Sequence, residues 1–129
     1  MEDNKTKLLY IMEKVCYFHD SDIENIIISY RTYCETVIEN YPKEFTDIQI
    51  VICLPLHEDP LFSQKKIKLT FYEVDEFYIQ KNINWKPYIV SASDMIENEE
   101  FSRFEIDDFI SLKYKHFNWE LLDDGLGVE

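Results

Sequence analysis

The segment Lys66 to Gln80, Lys-Ile-Lys-Leu-Thr-Phe-Tyr-Glu-Val-Asp-Glu-Phe-Tyr-Ile-Gln, constrains the fold more than any other part of the chain. Ile67, Leu69 and Phe71 fall on one side of an extended backbone, and Lys68, Thr70 and Tyr72 fall on the other. A period of two marks a strand with one buried and one wetter face. The alternation breaks at Glu73-Val74-Asp75-Glu76 and resumes at Phe77 and Ile79. Holding both halves against one core requires a bulge or a tight corner at the acidic tetrapeptide. This strand is expected at the centre of an antiparallel sheet, with other elements supplying neighbours and a cover.

The neighbours are read the same way. In Asp47 to Leu56, Ile48, Ile50, Ile52, Leu54 and Leu56 alternate with Gln49, Val51, Cys53 and Pro55. Pro55 has no N–H for a ladder, so it belongs at an edge or beyond the last pairing. His57-Glu58-Asp59-Pro60 opens a loop to Lys65, making this strand and the next a hairpin with a long connection. Ile23 to Cys34 is extended, and its Ile26-Ile27-Ile28 centre suggests burial on both faces. Glu35 to Phe45 stays open between a hairpin arm and a helical turn, with Pro42 in the connection. Phe104 and Ile106 form a short alternating piece, Asp107-Asp108 a turn, and Phe109 to Leu122 an extended run. Within that run Ile110, Leu112 and Tyr114 share one face and Phe117, Trp119 and Leu121 the other, so a bend is expected near Lys115-His116.

Two helices are expected. Asn4 to Phe18 places Leu8, Met12, Val15 and Cys16 on one stripe, widened by Leu9 and Ile11, as a cover for the sheet. Ser93 to Phe101 carries a helix-start signature, Ser93 as cap and Glu97 inside the first turn. Lys81 to Tyr88 is a polar loop bearing Trp85, and Ile89-Val90 a short strand. The expected fold class is α+β, mainly β: an antiparallel sheet that could be curled or barrel-like, with an N-terminal covering helix. A single domain spans residues 1–129, with 1–3 and 123–129 as loose ends.

Composition narrows the function. A 46% hydrophobic, 16% aromatic content in 129 residues supports one real core. The 2 glycines, Gly125 and Gly127, leave the body of the chain without a glycine-rich phosphate loop. Lys+Arg of 13 against Asp+Glu of 26 gives a net charge of −13, which repels phosphate backbones and anionic membranes and attracts a basic protein. Leu8 to Val15 is too short and too charged for a signal peptide or a span. The odd, widely spaced Cys16, Cys34 and Cys53 suit free thiols in a reducing, cytoplasmic compartment.

No catalytic constellation stands out. His19-Asp20 is a dipeptide that ligates metal in phosphohydrolases, but that chemistry needs further ligands, and the other histidines are His57 and His116. His19, Asp20 and Ser21 are therefore assigned to a structural turn, in which short oxygen side chains bond the local backbone. Cys16 and His19, three apart, lack a second ligand pair. Ser21, Ser29 and Ser111 lie in no nucleophile elbow. No metal or other cofactor is expected.

The acidic concentrations carry the functional reading. Glu73, Asp75 and Glu76 form one; Asp94, Glu97, Glu99, Glu100, Glu105, Asp107 and Asp108, relieved only by Arg103, form another. Such runs can be plain solvated faces. Read functionally, they are a negative docking patch with Tyr72, Tyr78 or Trp85 as aromatic anchors.

Phe18-His19-Asp20-Ser21-Asp22-Ile23 entering a strand, followed by Lys66-Ile67-Lys68-Leu69-Thr70-Phe71-Tyr72-Glu73-Val74, resembles a pattern in small bacterial proteins. These comprise uncharacterised families and the immunity proteins of polymorphic toxin systems. The similarity covers Phe18 to Leu112 and leaves out the N-terminal helix and the Trp85 loop. It implies a small α+β or mainly β cytoplasmic protein that binds a cognate toxin rather than transforming a substrate. The expected function is a non-enzymatic, immunity-type inhibitor of a basic toxin domain. Two alternatives stand beside it: a small-molecule or catalytic β domain with a pocket lined by Trp85, Trp119 and tyrosines, and a structural domain self-associating through a strand edge.

Overall fold

The computed structural model describes residues 4–33, 43–80, 89 and 91–122. Helix α1 spans Asn4–Lys14, and the strands are β1 Asp22–Tyr33, β2 Lys43–Cys53, β3 Lys66–Tyr72, β4 Glu76–Ile79, β5 Ala92–Ile96, β6 Ser102–Ile106, β7 Ile110–Tyr114 and β8 His116–Leu122. They form two antiparallel four-stranded sheets, ordered β1-β2-β3-β8 and β4-β7-β6-β5. The protein is thus α+β and mainly β, as expected. The strands divide between two sheets and do not close into a barrel.

The sheets share a two-stranded ribbon. β3 runs into β4 and β7 into β8, so that β3 pairs with β8 in the first sheet and β4 with β7 in the second. The chain changes sheets at the two breaks in periodicity, Glu73-Val74-Asp75 and Lys115. Between the pairs Tyr72↔His116 and Glu76↔Lys113, one strand has residues 73–75 and the other only 114–115. That extra residue is a bulge, the usual means by which a strand turns a corner between packed sheets.

The core lies between the sheets. Phe71 sits at its centre, with ring centroids 4.9 Å from Phe104, 5.0 Å from Tyr114 and 5.1 Å from Phe117. Ile48, Ile50, Ile52, Ile67 and Leu69 from the first sheet and Ile106, Ile110 and Leu112 from the second complete it. Pro55 lies past the end of β2, where no ladder bond is lost. The hairpin connection after it is pinned by Phe62, buried against the core, and by the Leu54 N–H donating to the Lys65 carbonyl at 2.8 Å.

Helix α1 covers the assembly, packing on β8 and β5. Leu8, Ile11, Met12 and Val15 are buried, and the Tyr10 ring lies 6.4 Å from Trp119 on β8. The helix stops four residues earlier than the hydrophobic stripe suggests. Cys16, Tyr17 and Phe18 all take positive φ (54°, 55° and 63°), a left-handed turn that puts Phe18 into the core and Cys16 outside it. That region costs an L-residue about 1–2 kcal/mol. Tyr17→Gly, at an exposed position, is therefore expected to raise stability by about 0.5–1 kcal/mol, because glycine has no Cβ to crowd the following carbonyl. Urea denaturation of the variant checks this.

Three further expectations are corrected. Ser93 to Phe101 is not helical: Ala92–Ile96 is β5, laddered to β6 from Ala92↔Ile106 to Ile96↔Ser102. Asn98 then closes the turn, its Oδ1 accepting the Glu100 and Phe101 N–H groups at 2.8 and 2.9 Å. Five ladder pairs outweigh a local capping preference. The Ile26-Ile27-Ile28 run is not buried on both faces, because β1 is an edge strand; Ile27 is 43% and Ile28 37% exposed. Ile89 makes no strand of its own, but exchanges backbone bonds with Asp20 and Ser21. Expectations on Glu35–Pro42, Trp85, Val90 and the tail Asp123–Glu129 lie outside the described residues.

Candidate functional site

The acidic tetrapeptide forms the corner between the sheets, and its backbone is tied down from both sides. The Val74 N–H donates to the Thr46 carbonyl at 2.8 Å, the Asp75 N–H to Lys113 at 2.7 Å and the Lys115 N–H to Tyr72 at 3.1 Å. Glu73 takes a left-handed φ of 55°, and its N–H donates to the Asp47 carboxylate at 3.1 Å. Asp47 is among the few buried charged groups, and this bond gives its place on β2 a reason. Asp47→Ala is expected to cost about 1–3 kcal/mol by leaving that N–H without its anionic acceptor, and Asp47→Asn, which keeps an acceptor oxygen, less. Thermal denaturation of the two variants side by side checks the order.

Beyond the corner, the outer face of the second sheet carries charge in register. Glu76, Lys113, Arg103 and Met95 form one row across β4, β7, β6 and β5, and Tyr78, Ser111, Glu105 and Ser93 form the next. Arg103 is the hub. Its Nε donates to Glu97 Oε2 at 3.1 Å, Nη2 to Glu76 Oε1 at 3.1 Å and Nη1 to Ser111 Oγ at 2.7 Å. The Glu97 hydrogen bond, against partial burial and with Glu76 in support, holds the guanidinium above its ordinary pKa. Arg103 thus joins two acidic segments that lie apart in the sequence, the corner and the β5–β6 turn.

The lysines of this face also sit against carboxylates, Lys113 3.5 Å from Asp75 and Lys115 3.9 Å from Glu73, and the His116 ring lies 3.7 Å from the same Glu73 carboxylate. Glu73, Asp75, Glu76, Glu97, Glu99, Glu100 and Glu105 still outnumber Arg103, Lys113 and Lys115, so the face stays negative. Beside it, at the corner between the sheets, Phe45 and Thr46 of β2 with Glu73, Val74, Asp75, Phe101 and Lys115 line an open groove of about 340 Å³. The groove already holds cations of the protein itself: Lys113 Nζ lies 5.2 Å from the Phe101 ring centroid, and Lys115 lines it beside Glu73.

The structure brings together only part of the residues expected to bind a partner. Glu73, Asp75, Glu76, Glu97, Glu99 and Glu100 belong to the corner and the adjoining turn. Tyr78 stands exposed on β4, in the second row of the outer face, and Tyr72 is half-buried at the end of β3. Asp94 points inward, where its Oδ1 accepts the hydroxyl of buried Tyr114 at 2.8 Å. Asp107 and Asp108 sit in the β6–β7 turn at the opposite end of the sheet, and Asp107 Oδ1 accepts the Ser91 N–H at 2.9 Å. Trp85 lies outside the described residues. Phe45, Phe101 and Arg103 are the site residues that periodicity did not single out; only their return to one corner through the sheet register reveals them.

His19, Asp20 and Ser21 make the turn into β1. The Asp20 N–H donates to the Ile89 carbonyl at 2.8 Å, and the Ser21 N–H to Phe18 at 3.0 Å. The His19 and Asp20 side chains approach to 3.5 Å but stay largely in solvent. Among the described residues no group of three or more His, Cys, Asp or Glu side chains is placed to hold a metal ion. Trp119, expected to line a ligand pocket, packs against Tyr10 at the helix–sheet interface. Among the described residues no helix is long and apolar enough to cross a membrane. No protein family model, curated protein or solved structure matches this chain.

Proposed function

We propose that the protein is a non-enzymatic docking module whose acidic corner binds a basic protein, and that it serves as an immunity-type inhibitor of a toxin domain in the cytoplasm. The observation that supports this reading is the convergence of Glu73-Val74-Asp75-Glu76 with the Glu97–Phe101 turn through Arg103, beside the Phe45–Phe101 groove. A lysine or arginine of the partner competes there with Lys113 and Lys115 for the carboxylates, and the excess acid around the groove steers the encounter. Complementary fields of this kind act mostly on association rate, and salt weakens them. Inhibition follows from masking the cationic surface with which the toxin engages its own target.

The test is co-expression with a basic toxin domain encoded beside this chain, followed by stopped-flow binding of the purified pair. Wild type is expected to restore growth and form a complex. The variant Asp75→Lys/Glu99→Lys/Glu100→Lys is expected to associate at least about 10-fold more slowly, with a flatter salt dependence. Failure to rescue or to bind, or a complex indifferent to the three reversals, would overturn the reading.

A further inference from the structure

We propose that β1 is a self-recognition edge, through which two copies of this chain pair strand to strand. β1 is long, Asp22–Tyr33, and among the described residues it ladders only with β2, leaving a row of backbone donors and acceptors on its other side. Protected edges carry a lysine, a proline, a bulge or an inward charge. Asn25 to Tyr30 has none of these, and its register with β2 is regular, the one irregularity falling earlier, between Ile23 and Asn25. Ile27 and Ile28, on opposite faces of the strand, and Tyr30 are all exposed.

Charge selects a second copy as the occupant. In a chain of net charge −13, Asn25-Ile26-Ile27-Ile28-Ser29-Tyr30 is a stretch without a single charge, so two copies can approach there with little local repulsion. A basic partner has no anion to meet on it. The stretch also complements itself: antiparallel pairing about a two-fold axis at Ile27 sets Ile26 opposite Ile28 and Asn25 opposite Ser29. A two-fold axis normal to the sheet keeps each side chain on its own face, so the pairing fuses two four-stranded sheets into one continuous sheet and closes after two copies. The association is separate from the acidic corner and stands if that docking role fails.

Salt distinguishes this contact from acidic docking. Screening reduces the repulsion between two strongly negative copies, so pairing through β1 tightens as ionic strength rises, opposite to an electrostatic complex. Sedimentation velocity of the full chain across micromolar concentrations is the test, at low and high sodium chloride. A reversible dimer of the 15.6 kDa chain, tighter in high salt, is expected. Ile27→Lys and Ile28→Lys are each expected to weaken it at least tenfold, with unchanged circular dichroism. Should either variant misfold, hydrogen exchange on the wild type decides the matter, since amides of residues 25–30 must gain protection as concentration rises. A monomer at every concentration, open-ended assembly, a dimer weakened by salt, or a dimer that survives both lysines would overturn the proposal.

Discussion

Phe71→Ala is expected to destabilise the protein by about 3–5 kcal/mol, the range for removing a fully buried aromatic ring from a core. The upper part of that range is appropriate because the ring meets three aromatic neighbours, Phe104, Tyr114 and Phe117, within about 5 Å, drawn from both sheets. Aromatic pairs at such separations add to simple area burial. The void would sit between two sheets pinned to each other by the ribbon, so neither can collapse freely into it. Against a total stability of about 5–15 kcal/mol for domains of this kind, the variant should be near its unfolding threshold at 37 °C. Equilibrium urea unfolding checks the value; a loss below about 1 kcal/mol would mean that the sheets do not meet at Phe71.

The second large effect is expected at the helix. Ile11→Ala should cost about 2–5 kcal/mol. Helix α1 is 11 residues long and has no acidic residue in its first turn, so it has little intrinsic reason to form in water. Its stability comes from packing Leu8, Ile11 and Met12, all fully buried, against β8 and β5. Those two strands belong to different sheets, so α1 closes a seam between them. Truncating Ile11 therefore loosens helix and seam together, and the loss should appear in chemical denaturation as a lower midpoint with little change of slope. A negligible shift would mean that the helix is an appendage.

The strands were legible where burial is one-sided. β2 and β3 alternate in sequence because their inner faces are fully buried in the core while their outer faces are mostly half-buried, with Asp47, Val51 and Thr70 as buried exceptions, and the expected pairing and the acidic corner follow from that pattern. The Ile26-Ile27-Ile28 run misled because apolar content reports what a residue prefers, and an edge strand can leave that preference unmet. Ser93–Phe101 misled because a capping signature is local, whereas the ladder from Ala92 to Ile96 draws on β6. The site was legible only as charge. That Glu76 and Glu97 would meet at one guanidinium depends on the order β4-β7-β6-β5, and strand order leaves no mark on periodicity. The inward turn of Asp94 toward Tyr114 was hidden for the same reason.

The ribbon through β3–β4 and β7–β8 also governs how the chain acquires its structure. The first sheet begins with a local meander, β1 to β3, yet its last member, β8, arrives at the far end of the described chain, and Phe71 waits for Phe117. The second sheet is drawn from one contiguous stretch, yet its edge strand β4 precedes its partner β7 by an excursion through β5 and β6. The first sheet is completed only by a strand that follows the whole of the second in the chain. Such distant pairings place a chain toward the slow end of single-domain folding and make its melting an all-or-none event.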